Sequence, residues 1–219
     1  MSYNLVNADS LEWLQTMDDQ SINNIVSGIP DLDETQFESL DEYNKWFSSI
    51  VELLLVKTNP YGYVILCQTD RKINGCWYDK STIINMIAMK MGWKLLWHKI
   101  VLNRPVGSAN LHRPTYSHLV CYSKYGRPGN GLPDVIDYGK RWYSNATPTN
   151  AAKMAMLFLE SKISSSKNFN KNNYDVVDPF VGHGTIPYYA IINGLTVLGI
   201  DIDQKQLNIT DHYLKKVKI

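Results

Sequence analysis

The most constraining stretch of this 219-residue chain runs from Tyr174 to Asp203. A short apolar run, Tyr174-Asp175-Val176-Val177, leads into a turn that contains Gly182 and Gly184. A helical stretch from Ile186 to Asn193 follows, and a second apolar run from Thr196 to Ile200 ends in Asp201. Strand, turn, helix, strand is a βαβ unit, and such a unit builds a parallel sheet. Glycines let the turn bend tightly and approach a ligand closely. The helix N-terminus behind it offers free N–H groups and a partial positive charge, which suit a carboxylate or phosphate. Asp201 stands 17 residues after Gly184. An acid there can accept both ribose hydroxyls of an adenosine-bearing cofactor. Pro187 stands where the dinucleotide fingerprint needs its third glycine, so that spacing is absent. A tight turn with no ligand is the plainer alternative.

The same alternation extends along the chain. Strands are expected at Tyr3–Val6, Ile22–Ile29, Tyr63–Cys67, Trp93–Leu102 and His118–Ser123. Helices are expected around Leu11–Met17, Leu40–Lys57, Ser81–Met91, Thr149–Ser161 and Gln204–Lys215. Residues 125–145, rich in Gly, Pro and polar side chains, read as a surface path, and 164–173 as a polar loop. The expected fold is α/β, with a mostly parallel sheet of about seven strands, helices on both faces and a late antiparallel strand.

Composition narrows the classes. A hydrophobic content of 44% with 20% charged residues is ordinary for one globular domain of this length. No apolar run approaches the length of a membrane span, and MSYNLVNADS lacks the pattern of a signal peptide. Cys67, Cys76 and Cys121 form neither a disulfide framework nor a zinc pattern, so no metal is expected and an intracellular setting, cytoplasmic or nuclear, fits. The net charge is only +1, yet it is unevenly spread. Residues 1–60 hold eleven Asp and Glu against two Lys, and residues 94–141 hold eight Lys and Arg against two Asp. Such asymmetry marks either a face for a polyanion or ordinary solvated faces.

The run Asp178-Pro179-Phe180-Val181-Gly182-His183-Gly184-Thr185 resembles motif I (DPFxGxGT) of the S-adenosylmethionine-dependent amino-methyltransferases that modify adenine N6 or cytosine N4. The resemblance implies a Rossmann-like methyltransferase fold with S-adenosyl-L-methionine as cofactor. It implies that Asp178 approaches the amino-acid part of the donor and that Phe180, Gly182 and Gly184 line it. It also implies that Thr185 caps the helix and that Asp201, in Gly199-Ile200-Asp201, binds the ribose. The opening Tyr3 to Val26 is similar to that of the permuted, beta-class members, in which the catalytic strand comes first and the donor motif last. This implies a place for Asp9 near the adenine end of the donor. Thr147-Pro148-Thr149-Asn150 resembles the segment that closes over the methionine part, which implies that Thr149 belongs to the donor site.

One departure matters. The family's catalytic tetrapeptide is Asp/Asn/Ser-Pro-Pro-aromatic. Its polar side chain and backbone carbonyl orient the target amine, and its aromatic ring stacks on the base. Here the aligned residues are Gly28-Ile29-Pro30-Asp31, with Ser27 one step earlier. Asp31, at the end of a parallel strand, can accept a proton or orient an N–H of the acceptor. It can equally cap the next segment, because Asp31-x-x-Glu34 has capping-box spacing. The candidate catalytic residues are therefore Asp31, Pro30 and Ser27.

The middle of the chain is basic and aromatic. Arg104, Arg113 and Tyr116 are the candidates for acceptor contact. Trp97, His118 and Tyr122 read as core or sheet-face residues, and His183 as a lining residue. The chain is expected to be a single methyltransferase domain over 1–219, with 98–145 as an acceptor-recognition insert. The expected function is N-methylation of a flipped or unpaired base in RNA or DNA. A small-molecule methyltransferase and a catalytically silent subunit are the alternatives, and a homo- or heterodimer is open.

Overall fold

The computed structural model describes residues 2–128, 131–143, 145–163, 169–170 and 173–217. Most of the expected polar loop 164–173, and residues 129, 130 and 144 of the expected surface path, lie outside the described residues. In chain order the elements are β1 (Tyr3–Asn7), α1 (Ser10–Thr16), β2 (Ile25–Ser27), a 3-10 turn (Leu32–Glu34), α2 (Leu40–Lys57), β3 (Val64–Gln68), β4 (Arg71–Ile73), β5 (Cys76–Tyr78) and α3 (Lys80–Lys90). They continue with β6 (Lys94–Leu102), β7 (Tyr116–Ser123), β8 (Val135–Asp137), α4 (Thr149–Ile163), β9 (Val176–Asp178), α5 (Thr185–Ile192), β10 (Val197–Asp201) and α6 (Gln204–Leu214).

Eight strands form the main sheet in the order β1-β10-β9-β2-β3-β7-β6-β8. The five from β1 to β3 run parallel, β7 is antiparallel to both its neighbours, and β8 pairs parallel with β6. The count is eight rather than the expected seven, because Val135-Ile136-Asp137 adds an edge strand within the Gly- and Pro-rich stretch. A second addition is the β4–β5 hairpin, which turns through Asn74 and Gly75, both with positive φ. Asn-Gly is the dipeptide such a turn favours, because both positions need φ above zero. Strand β2 is shorter than expected: Gly28, Ile29 and Pro30 leave the sheet.

Central strands are apolar on both faces, as a sheet covered on both sides requires. Ile25, Val64, Leu66, Val120 and Tyr122 pack with α1, α2 and α3. Their sequence neighbours Val26, Ile65, Leu119 and Cys121 pack with α4, α5 and α6. The longest helix, α2, starts where the Ser39 hydroxyl accepts the Glu42 N–H at 3.2 Å, and it buries Tyr43, Phe47, Ile50, Val51, Leu54 and Leu55.

The sheet splits functionally between β9 and β2. From β9 the chain crosses through α5 towards β10, and from β2 it crosses through α2 towards β3. The two connections diverge, which opens a crevice at the carboxyl ends of the strands. Only one register pair, Ile25 with Val177, joins these two strands. Asn24, fully buried, ties the seam. Its Nδ2 donates to Asp175 O at 2.8 Å, its Oδ1 accepts Tyr63 N–H at 3.0 Å, and its own carbonyl accepts Val177 N–H at 2.9 Å. Asn24→Ala leaves the buried Tyr63 N–H and the part-buried Asp175 carbonyl without this partner and should destabilise the chain by about 1–3 kcal/mol. Urea unfolding checks this, and a loss within about 0.5 kcal/mol, the scale of an ordinary surface substitution, would show that the seam does not need the clamp.

Candidate active site

A cavity of about 770 Å³ opens at the β9–β2 crevice. That volume is in the range of sites for small molecules and cofactors, about 300–1,000 Å³. Residues from the carboxyl ends of β2, β3, β9 and β10 line it, so the parallel strands aim four chain segments at one place.

The glycine turn forms one wall. Gly182 and Gly184 have φ of +50° and +81°, the left-handed region. A Cβ on Gly184 would lie 2.5 Å from Thr210 Cγ2, so a side chain there meets both strain and a clash. The Thr210 hydroxyl donates to Gly182 O at 2.8 Å, and Gly182 N–H donates to Asp201 Oδ2 at 2.8 Å. Asp201 Oδ1 accepts Asp203 N–H at 2.8 Å, which fixes the carboxylate at the tip of β10 and on the cavity wall. Gly184, not Thr185, is the N-cap of α5, and it has no side chain to cap with. Thr185 is instead the first helical residue, buried against the cavity. The expected capping role of Thr185 is thus corrected by one position. Tyr143 stacks on His183 at 3.8 Å between ring centroids, which makes His183 a lining residue.

Asp178 ends β9 and is 1% exposed. Burial pushes its carboxyl up to about 7; the Ser27 hydroxyl at 2.7 Å and Phe180 N–H at 3.3 Å oppose that rise, and the Asp201 charge adds to it. Ser27 is fully buried and its hydroxyl is spent on Asp178, so it holds that acid and does not line the cavity. Phe180 lines the cavity, edge-on to Trp46 at 6.0 Å. Asp9 caps α1 by accepting from Leu11 and Glu12 N–H at 2.8 and 3.0 Å, and it lines the cavity beside Ser10. The Thr149 hydroxyl accepts Lys140 N–H at 2.8 Å and is not on the wall; Thr147 and Pro148 are.

Asp31 faces the cavity from just beyond β2 and is 8% exposed. Its carboxylate pairs with Lys80, a completely buried cation, and with Arg71 at 3.1 Å; Arg113 stands 3.9 Å away. Arg71 and Arg113 also bind Asp33 at 2.8 and 3.0 Å. Burial works against that carboxylate, but Arg71 and then Arg113 outweigh it and hold Asp33 below its ordinary range. The capping geometry is present as well: Glu34 accepts the Asp31 N–H at 2.8 Å. Burial, chiefly, raises Glu34. The capping expectation for Asp31 holds in its backbone, while its side chain lies on the cavity wall. Pro30 lines the cavity and its carbonyl accepts the Tyr43 hydroxyl at 2.8 Å.

Of the three candidate acceptor contacts, Arg113 alone lines the cavity. Arg104 is exposed on the loop after β6, and Tyr116 packs edge-on to His118 at 5.3 Å. Residues missed from the sequence are Gln68, Arg71, Lys80, Phe37, Trp46 and Arg141. The Asn74-Gly75 pair signals the hairpin that carries Arg71. Nothing local says that Arg71 and Lys80 reach back to Asp31, about 40 and 50 positions earlier.

No family model and no curated protein matches the chain. Solved structures match it along nearly its whole length. A candidate DNA modification methylase from Thermus thermophilus superposes with a TM-score of 0.73 at 16% identity, covering 98% of this chain and 96% of that one. The same protein complexed with S-adenosyl-L-methionine gives 0.70 at 16% identity, over 99% and 95%. The cytosine-N4-specific PvuII DNA methyltransferase gives 0.68 at 15% identity, over 100% and 87%. The chain has the Rossmann-like fold of these methyltransferases, with eight strands in its sheet.

The Asp178 environment makes stability depend on pH. Its ordinary carboxyl value is 3.8, and in the fold it is raised to about 7. Between those values the folded chain keeps a proton that the unfolded chain has lost, so stability falls as pH rises from about 4 to about 7. Asp178→Asn should therefore raise the unfolding free energy at pH 8 by up to about 4 kcal/mol and change little near pH 4. An equal effect at both pH values in denaturant titrations would contradict this.

Proposed function

We propose that this chain is an S-adenosyl-L-methionine-dependent N-methyltransferase that acts on a base of RNA or DNA. The single observation behind this is the convergence, on one cavity, of the glycine turn with Asp178 and Asp201 on one side and Asp31 on the other. The turn suits the donor on its own terms. Gly182 lines the cavity in left-handed conformation, Asp201 is fixed at the adjoining strand tip, and a buried acid, Asp178, sits where an ammonium group would find a partner.

Asp201 would take the ribose hydroxyls, Phe180 and Trp46 would pack on the donor's apolar surface, and Asp178 would meet its amino group. S-adenosyl-L-methionine, when bound, supplies an electrophilic methyl group on a positively charged sulfur. The chain's own task is to hold the acceptor nitrogen in line and to take up the developing positive charge. Asp31 is suited to that task. Its two oxygens can accept an N–H from the target amine while Lys80 and Arg71 hold the carboxylate in place. The proton that leaves the methylated nitrogen passes to that carboxylate or to water. Phe37 and Trp46, 5.5 Å apart between centroids, offer the aromatic surface that position 31 lacks.

Acceptor recognition within 98–145 is carried by Arg113, Ser117, Arg141 and Asn145, all on the cavity wall. The positive excess over 94–141 suits the phosphates of a nucleic acid, and a target base must leave its stack to enter a cavity of this kind. The intact cation cluster around Asp31 favours an active enzyme over a silent subunit. Titration calorimetry should give saturable S-adenosyl-L-methionine binding that Asp201→Ala and Gly182→Val abolish; no binding by the unmodified chain would overturn the reading. With single-stranded DNA and RNA as acceptors, Asp31→Asn should lower kcat by about 100-fold or more and leave donor affinity unchanged. Unaltered turnover in that variant would remove Asp31 from the mechanism.

A further inference from the structure

We propose that Gln68 reads the acceptor, through a hydrogen bond from its side-chain amide to the ring nitrogen or carbonyl beside the nitrogen that is methylated. The inference rests on the nucleobase reading and names the contact that selects the base.

Gln68 is the last residue of β3, next to the strand that ends at Ser27, and it lines the cavity. It is 2% exposed, and its Nε2 is buried with no hydrogen-bond partner among the described residues. A buried, unpaired amide N–H is costly, and folded proteins keep few of them. Packing does not ask for the amide. Leu66, two places earlier on the same face of the strand, is buried and apolar, and an apolar side chain at 68 would remove the cost.

The neighbouring polar groups already have partners. The Ser27 hydroxyl serves Asp178, Thr69 and Ser117 bond each other, and Asn103 donates to Ser117 at 2.8 Å. Arg71 and Lys80 serve Asp31, and Arg113 serves Asp33. Among these neighbouring described side chains, Gln68 is the one whose buried amide has no partner. A half-turn about χ3 exchanges the two ends of a carboxamide without changing its shape, so the N–H end can face the cavity.

The pair Asp31 and Gln68 has a chemical complement. A carboxylate accepts an N–H, and an amide N–H donates to a lone pair. The 4-amino and N3 positions of cytosine, or the 6-amino and N1 positions of adenine, place that donor and that acceptor side by side. Two contacts on one planar edge fix the direction of the amine lone pair, which a single carboxylate does not do. Bases without that pairing leave the buried amide unpaired and are rejected.

The test is transfer of labelled methyl from S-adenosyl-L-methionine to single-stranded DNA and RNA oligonucleotides, each offering one kind of base. Gln68→Met keeps the volume and removes the amide, and Gln68→Glu removes the N–H donor at neutral pH. Both should raise the acceptor KM by about 10-fold or more, with donor affinity within about twofold and the Met variant no less stable than the parent. Replacing the base by its 3-deazacytosine or 1-deazaadenine analogue should impose the same loss on the parent and no further loss on the Met variant. Unchanged kcat/KM in Gln68→Met, or parallel loss of donor binding, would overturn the role of Gln68 while leaving the nucleobase reading in place. A parent protein that binds the donor yet methylates none of the oligonucleotides would overturn both.

Discussion

The seam between β2 and β9 is held by side chains more than by a backbone ladder. A single register pair joins the strands, and the remaining ties come from Asn24 at the amino end and from the Ser27 hydroxyl on Asp178 at the carboxyl end. Because the crossovers leave in opposite directions, a crevice opens beyond the carboxyl ends of the two strands, and the cavity occupies it. Both halves of the site take their position from that seam: Asp178 and the glycine turn from β9, Gly28 to Asp31 from β2.

Electrostatics divide the cavity into two unlike halves. On the β9–β10 side two carboxyl groups, Asp178 and Asp201, stand near a helix N-terminus with no ion-pair partner among the described residues, and burial raises the deeper one to about 7. That half lacks positive charge and suits a ligand that brings some. On the β2–β3 side the balance is reversed: Asp31 and Asp33 are held by Lys80, Arg71 and Arg113. Removing one partner of such a buried set leaves an uncompensated charge, which is why the cluster behaves as a unit. Lys80 is the extreme case, with no exposed surface at all. Its ammonium is tolerated because the carboxylate of Asp31 is beside it.

In the sequence Asp31 is a single carboxylate after a short strand. In the folded chain it is the centre of a cluster. The hairpin β4–β5 delivers Arg71, the start of α3 delivers Lys80, and the segment before β7 delivers Arg113 to the same carboxylate. Aromatic surface comes from Phe37 and Trp46, after the 3-10 turn and on α2.

Local pattern is enough for much of this protein. Apolar runs, and glycines with an acid after the next strand, specify a parallel α/β sheet and the glycine-turn wall of the cavity, the latter because those signals lie within one βαβ unit of about 30 residues. The β8 strand and the β4–β5 hairpin escape that pattern, the first because three residues in a Gly- and Pro-rich stretch carry no period, the second although Asn74-Gly75 marks it. Thr185 as the cap is wrong by one position, because a glycine in left-handed conformation can begin a helix without a side chain. What only tertiary structure decided is the Asp31 side of the cavity. Arg104 and Tyr116 are near Arg113 in sequence yet off the cavity, while Gln68 lines it from β3 and Arg71 and Lys80 reach the Asp31 carboxylate from β4 and α3. Charge pairing and burial across distant segments are set by how the sheet splits, and no spacing within a single element records that.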